Sequence, residues 1–360
     1  MREDSMSRRS TTLLKTALAA VHYSGAGNLL APYTRGSGVI FMLHQVRPDP
    51  PHEFEPNRIL KVTPSFLEDV LREVIDAGFD IIPLDQVRDR LEHADGERPF
   101  ACFTLDDGYR DNRDYAYPIF RHYGAPFTIY VPTDFADGRG DFWWLTLEKV
   151  LRVAQRITIA MNGAGRHFRL STAAEKDVAH HEIYWWLRSI PEAHARAAVA
   201  ELAAAHNIDP AATHADLVML WDELRDLADD PLVTIGAHTR GHFALAKLSE
   251  AEARAEMAES VARIEKELGR PCRHFSYPYG CAQSAGEREF RIAEELGLET
   301  AVTTQKGLLY PEHAHELTAL PRLSLNGDFQ DMRYVKALLS GLPFALMNTL
   351  HRISGARISA

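Results

Sequence analysis

Cysteine is scarce in this chain. Its 360 residues hold three, Cys102, Cys272 and Cys281, too few for a disulfide framework and too scattered for a thiolate zinc site. That suits a reducing compartment, and a cytoplasmic location is the expectation. Long apolar runs are missing as well: no stretch of about 18 such residues occurs, which excludes a transmembrane helix. Basic residues are outnumbered, 40 against 50 acidic ones, for a net charge of −10. A chain this acidic is not expected to wrap nucleic acid by neutralising phosphates. There is no internal repeat or low-complexity tract. Apolar residues make up 46 % and charged residues 25 %, the values of a folded globular chain.

The N-terminus carries Arg8 and Arg9 ahead of Leu13–Val21, the outline of a short secretory leader. Lys15 interrupts the apolar stretch and no small-x-small cleavage site follows. The segment reads instead as an amphipathic helix with Leu13, Leu14, Ala17, Leu18 and Val21 on one face. Such a helix docks on the body or on a membrane surface, so peripheral membrane contact is one expectation for its partners.

Further along, short apolar runs alternate with helical patterns. Val39–Leu43, Phe79–Pro83, Phe100–Leu105 and Phe127–Val131 read as strands, and the rhythm returns at Val233–Ala237, Phe275–Tyr277, Thr300–Thr303 and Leu317–Leu325. This alternation predicts an α/β fold with a parallel sheet, open or closed into a barrel. Between the two runs the alternation breaks. Four parts are therefore expected: a helical segment over 1–35, a split α/β domain over 36–140 and 231–328, a mainly helical insertion over 141–230, and a helical tail over 329–360. Within the insertion, Asn162-Gly163 marks a β-hairpin.

Ionisable or unusual residues gather where strands end: His44, Asp106-Asp107, His238 and Tyr279-Gly280. In parallel barrels the active site lies at the C-terminal strand ends. Two adjacent carboxylates leaving a strand point to different sides of the pleat, so one can bind a metal while the other takes a proton. Asp-Asp-Gly also suits an ordinary turn or cap. In His238-Thr239-Arg240-Gly241-His242, two histidines four apart can converge on one ion, although 17 histidines make a chance pair common. One carboxylate and two histidines form the donor set of a catalytic metal with open positions. In His274–Gly280, Pro278 and Gly280 set an unusual backbone whose free N–H can face a developing oxyanion; the same residues also suit an aromatic turn.

Thr104–Gly108, His238–His242 and Phe275–Gly280, in this order, resemble the T-[FL]-D-D-G, H-[ST]-x-x-H and [RF]-x-x-P-[YF]-G blocks of the polysaccharide deacetylases, the NodB-homology family or carbohydrate esterase family 4. The resemblance spans about Val39–Asp328, apart from the insertion. It implies a distorted (β/α)7 barrel with a mainly helical insertion. It also implies Asp106 as general base, Asp107, His238 and His242 as ligands of one divalent metal ion, zinc with cobalt or nickel as substitutes, and the Tyr279 N–H as oxyanion donor. Two departures stand out. Ser276 replaces the arginine that usually pairs with the base, and Arg322 is the candidate to supply that charge from another strand. No histidine stands near Ser324–Asp328, where the family keeps its general acid. Leu43-His44-Gln45-Val46 resembles instead the N-terminal [YL]-H-x-V segment of the poly-N-acetylglucosamine branch, which implies His44 as the acid.

The function so implied is hydrolysis of N-acetyl groups on an amino-sugar saccharide of N-acetylglucosamine type, such as a chitooligosaccharide, with an N-acetylated saccharide as partner. An O-acetyl esterase or a deformylase on the same metal site, and a non-catalytic carbohydrate-binding protein, are the alternatives. Tyr109, Trp143 and Trp144 can offer sugar rings an apolar face, or can equally be core. The sequence gives no indication of oligomeric state.

Overall fold

A computed structural model describes residues 8–48, 52–94 and 96–354. Seven strands, β1 (Gly38–Leu43), β2 (Phe100–Leu105), β3 (Phe127–Val131), β4 (Val233–Ala237), β5 (His274–Ser276), β6 (Thr300–Lys306) and β7 (Leu320–Ser324), run parallel. They follow one another around a ring that closes where β1 pairs with both β2 and β7. This is the distorted (β/α)7 barrel. Every residue of β1, β2 and β3 is buried, because helices cover the outside and side chains fill the lumen. Gly236 lies in β4 where a Cβ would come within 2.6 Å of the Tyr130 ring, so the lumen admits no side chain there.

The expected strand at Phe79–Pro83 is only Asp80–Ile81, and it lies outside the ring. It pairs with the first half of β2, and β3 pairs with the second half. Sharing one edge of β2 leaves it too short to be an eighth stave. Local chemistry sets the helix ends. Thr63 caps Pro64–Asp76 by accepting the Phe66 N–H at 3.2 Å, with Pro64 in the first turn. Ser249 and Glu252 form a reciprocal capping box at the start of Glu250–Leu268.

The interrupting segment contributes no strand to the ring. It holds helices Trp143–Val153, Ala173–Ser189 and Glu192–Ala205 and a separate antiparallel hairpin, Arg156–Met161 with Ala164–Arg169. Its apolar side chains form their own cluster, joined by Phe54, Tyr109 and Phe135 from the barrel loops. Its end lies earlier than residue 230. Helix Trp221–Ala228 buries Trp221, Leu224 and Leu227 in the barrel's own core, so it is the helix that precedes β4. Flanking helices Arg8–Tyr23, Ala26–Thr34, Met332–Leu339 and Leu342–Ser354 pack together on the barrel's outside. Residues 1–7 and 355–360 of the two terminal segments lie outside the described residues.

Candidate active site

Among the described residues six non-glycine positions have left-handed backbone. Two are Asn162 and Asn207, in turns that asparagine tolerates. The other four are Asp107 (φ 72°), Thr239 (62°), His242 (58°) and Tyr279 (63°), all on loops that leave the C-terminal ends of β2, β4 and β5. Each costs about 1–2 kcal/mol, and such outliers gather where a site over-determines the backbone. The pleat alone does not separate the two aspartates. Asp106 stays in register, its N–H donating to the Leu43 carbonyl at 2.9 Å. Asp107 is turned away by its positive φ.

Asp107, His238 and His242 are all buried, and their ligand atoms lie within 4.8 Å of one another. The Nε2 atoms of His238 and His242 are 3.5 and 3.2 Å from Asp107 Oδ1. His238 Nδ1 lies 2.6 Å from the Ser276 carbonyl, which can only accept. A proton therefore sits on Nδ1, which leaves Nε2 as the ring atom available to a cation and turned toward a carboxylate oxygen. Asp107 Oδ1 is buried without a hydrogen-bond partner. Lone pairs converging on one buried point repel unless a cation stands between them, and a mixed nitrogen and oxygen donor set suits a divalent ion of the zinc class. The residues present fit a metal. Burial keeps His242 below its ordinary value, against the pull of Asp107.

Beside the trio, Arg322 on β7 grips Asp106 through two bonds, Nη1 to Oδ1 at 2.8 Å and Nη2 to Oδ2 at 2.7 Å. Its remaining donors reach Thr303 O, Thr104 Oγ1 and Ser276 Oγ at 2.8, 3.1 and 3.1 Å. Ser276 thus joins the two halves of the site, its hydroxyl on Arg322 and its carbonyl on His238. Burial would raise the Asp106 carboxyl, yet the Arg322 charge and hydrogen bonds bring it below its ordinary value. Asp106 is thereby an ionised acceptor.

The Tyr279 N–H has no acceptor among the described residues, while its carbonyl accepts from Thr304 Oγ1 at 2.7 Å. The Tyr279 ring packs against His242, centroids 4.9 Å apart, so this residue lies against the trio. His44 follows β1, next to β7 in the closed ring. Its side chain is half-buried. Burial lowers its pKa while the Asp107 and Asp106 charges oppose the shift. Tyr109, Trp143 and Trp144 need correction as sugar platforms. They are 0 %, 2 % and 5 % exposed and form part of the insertion's core, because helix Trp143–Val153 turns its first residues onto the barrel mouth. Trp143 Nε1 donates to the Tyr279 hydroxyl at 2.9 Å, and Trp144 packs 4.9 Å from the His242 ring. Both brace the site from behind.

Two supports escaped the sequence reading. Glu256 Oε2 accepts the N–H groups of Arg240 and Gly241 at 3.1 and 2.8 Å, holding the strained loop between the two histidines. Arg196, from the insertion, donates to the carbonyls of Gly241 and His242 at 2.8 and 3.2 Å. Neither stands out in the chain, since Glu256 is one of many glutamates on its helix and Arg196 lies far from any motif.

Among solved structures, the Streptococcus pyogenes deacetylase PplD in complex with acetate is similar, with 18 % identity, a TM-score of 0.55, and coverage of 85 % of this chain and 98 % of that one. A de-N-acetylase from Aggregatibacter actinomycetemcomitans shares 14 % identity over 83 % of this chain and 99 % of its own, TM-score 0.53. IcaB from Ammonifex degensii shares 15 % over 84 % and 97 %, TM-score 0.52. At these identities the likeness establishes the fold. No curated protein matches. The signature of the polysaccharide deacetylase family matches residues 93–301, which takes in the trio, Asp106 and Tyr279 and leaves out His44 and Arg322. A match over more than half of the chain, on a barrel of this family's kind, makes the chain a member of the polysaccharide deacetylase family.

Proposed function

We propose that this deacetylase is a metal-dependent hydrolase of the N-acetyl amide on an amino-sugar saccharide of N-acetylglucosamine type. The observation that carries the reading is the buried Asp107–His238–His242 trio beside a separately ionised Asp106. Asp107, His238 and His242 would hold a zinc-class ion, which would supply Lewis-acid polarisation of the acetyl carbonyl and a lowered pKa for the attacking water. The protein's own groups do the rest. Asp106, held by Arg322, takes a proton from the attacking water. The Tyr279 N–H donates to the carbonyl oxygen as charge builds on it, from a backbone that need not reorganise. His44 gives a proton to the departing amine, a very poor leaving group without one.

Acetate release from N-acetylglucosamine oligomers, compared with O-acetylated and N-formylated sugars of equal length, tests the bond. The amide should be hydrolysed with the highest kcat/KM. A higher value on the ester or the formamide would move the assignment to esterase or deformylase. Metal-loaded protein that binds the sugars and releases nothing would make it a binding protein.

A further inference from the structure

Charge in this chain is segregated. Residues 5–48 and 332–360 carry nine of the 40 Lys and Arg and none of the 50 Asp and Glu, so the remainder is more acidic than the whole. The two cationic segments meet in space. Helix Arg8–Tyr23 packs against Ala26–Thr34 and Met332–Leu339, and Ala26–Thr34 packs against Leu342–Ser354. The junction is tight: Thr34 Oγ1 donates to the Ser340 carbonyl at 2.6 Å, and a Cβ on Gly341 would meet Thr34 O at 1.9 Å. Lys336 ties the group to Glu73 on the barrel helix Pro64–Asp76 at 2.9 Å. These helices form a fixed platform.

More than half of the large apolar side chains exposed among the described residues lie on this platform. Leu29 and Tyr33, four apart on one helix face, are 77 % and 86 % exposed, and Leu13 is 72 % exposed. Leu346 and Met347 are exposed on the C-terminal helix. Arg333 and Lys336 are occupied by Asp331 and Glu73, but Lys15 and Arg35 have only aromatic partners, Phe329 and Phe79, among the described residues. Apolar side chains turned outward on helices whose only formal charges are positive are the combination that seats in a lipid interface with an anionic surface. A second copy would bring the same apolar face but also the same positive charge, so the charge favours an anionic surface over self-pairing.

We infer that the four terminal helices dock this protein on a negatively charged lipid bilayer. Leu13, Leu29 and Tyr33 enter the interface, and the basic residues meet the headgroups. No helix among the described residues is long and apolar enough to cross a membrane, so the contact is peripheral.

Co-sedimentation of the full chain with vesicles tests this. Phosphatidylcholine vesicles holding about 30 mol % phosphatidylglycerol should retain it at least about tenfold better than phosphatidylcholine alone. Raising NaCl from about 0.1 to 0.5 M should weaken retention. Leu13→Gln/Leu29→Gln/Tyr33→Ser and, independently, Arg8→Gln/Arg9→Gln/Lys15→Gln should each reduce it by about tenfold or more, with thermal unfolding unchanged. Failure to sediment, equal retention on neutral vesicles, or full retention of the apolar triple variant would overturn the proposal. So would a dimer in sedimentation velocity that the apolar variant abolishes, since the face would then serve a second copy. None of these outcomes depends on the assigned reaction.

Discussion

Arg322 and Asp106 stand 216 positions apart and meet through two hydrogen bonds of 2.7 and 2.8 Å inside the barrel, both side chains essentially sealed from water. The arginine comes from the last strand and the aspartate from the end of the second. Closure of the ring through β1 is what brings them together.

Removing Arg322 leaves a buried carboxylate without its cation. Arg322→Met should cost about 3–5 kcal/mol in urea unfolding at pH 7. Asp106 has a folded pKa below its unfolded value, so the pair's stabilisation is fully present above the unfolded value of about 3.9 and is lost as pH falls through the folded value. The difference between wild type and Arg322→Met should therefore shrink as the pH falls below about 4. A variant as stable as wild type at pH 7 would show the pair to be energetically idle.

Asp106→Asn keeps the shape of the site and removes the proposed base. Metal content should remain at one equivalent while kcat drops by roughly 10²–10⁴. Loss of metal together with rate would mean that the two aspartates hold each other's roles.

His44→Ala should lower kcat strongly and leave bound metal unchanged. The acid works only while protonated, so activity governed by His44 falls as pH rises through its pKa, and the variant should lose that basic limb. An intact basic limb in His44→Ala would remove His44 from the proton path.

Glu256 is bonded to the loop between His238 and His242 and is not among the proposed ligands, so its effect is one of position. Glu256→Leu should weaken zinc binding by about 10–100-fold in a chelator competition. Glu256→Gln, which keeps an acceptor oxygen for the Arg240 and Gly241 N–H groups, should stay within about threefold of wild type. Equal affinities in all three proteins would make Glu256 a bystander.

The barrel and the trio were legible because they rest on local signals. Val39–Leu43 is a continuous apolar run and Phe127–Val131 is broken only by Thr128, the pattern of short strands buried on both faces, and the Asp-Asp-Gly and His-x-x-x-His spacings place candidate donors directly after strands. The pairing of Arg322 with Asp106 could be suspected from the missing arginine at Ser276, yet only ring closure supplies the contact. The aromatic residues were ambiguous for a physical reason. Trp143 and Trp144 look alike as sugar platforms or as core in a linear sequence, and the fold of the insertion decides for core. The end of the insertion was misplaced because Trp221–Ala228 has the same helical pattern as the helices before it, and only its packing against β4 assigns it to the barrel. Glu256 and Arg196 gave no signal, since their roles come from tertiary contact with one loop.

Acetate release from N-acetylglucosamine oligomers by protein stripped of metal with a chelator, then titrated with zinc, tests the assigned chemistry most directly. Activity should vanish on stripping and return in proportion to zinc up to one equivalent per chain. Asp107→Ala/His238→Ala should neither bind that equivalent nor regain activity. Acetate release that persists after metal is removed, or stoichiometric zinc loading of the double variant, would contradict a metal-dependent deacetylase built on Asp107, His238 and His242.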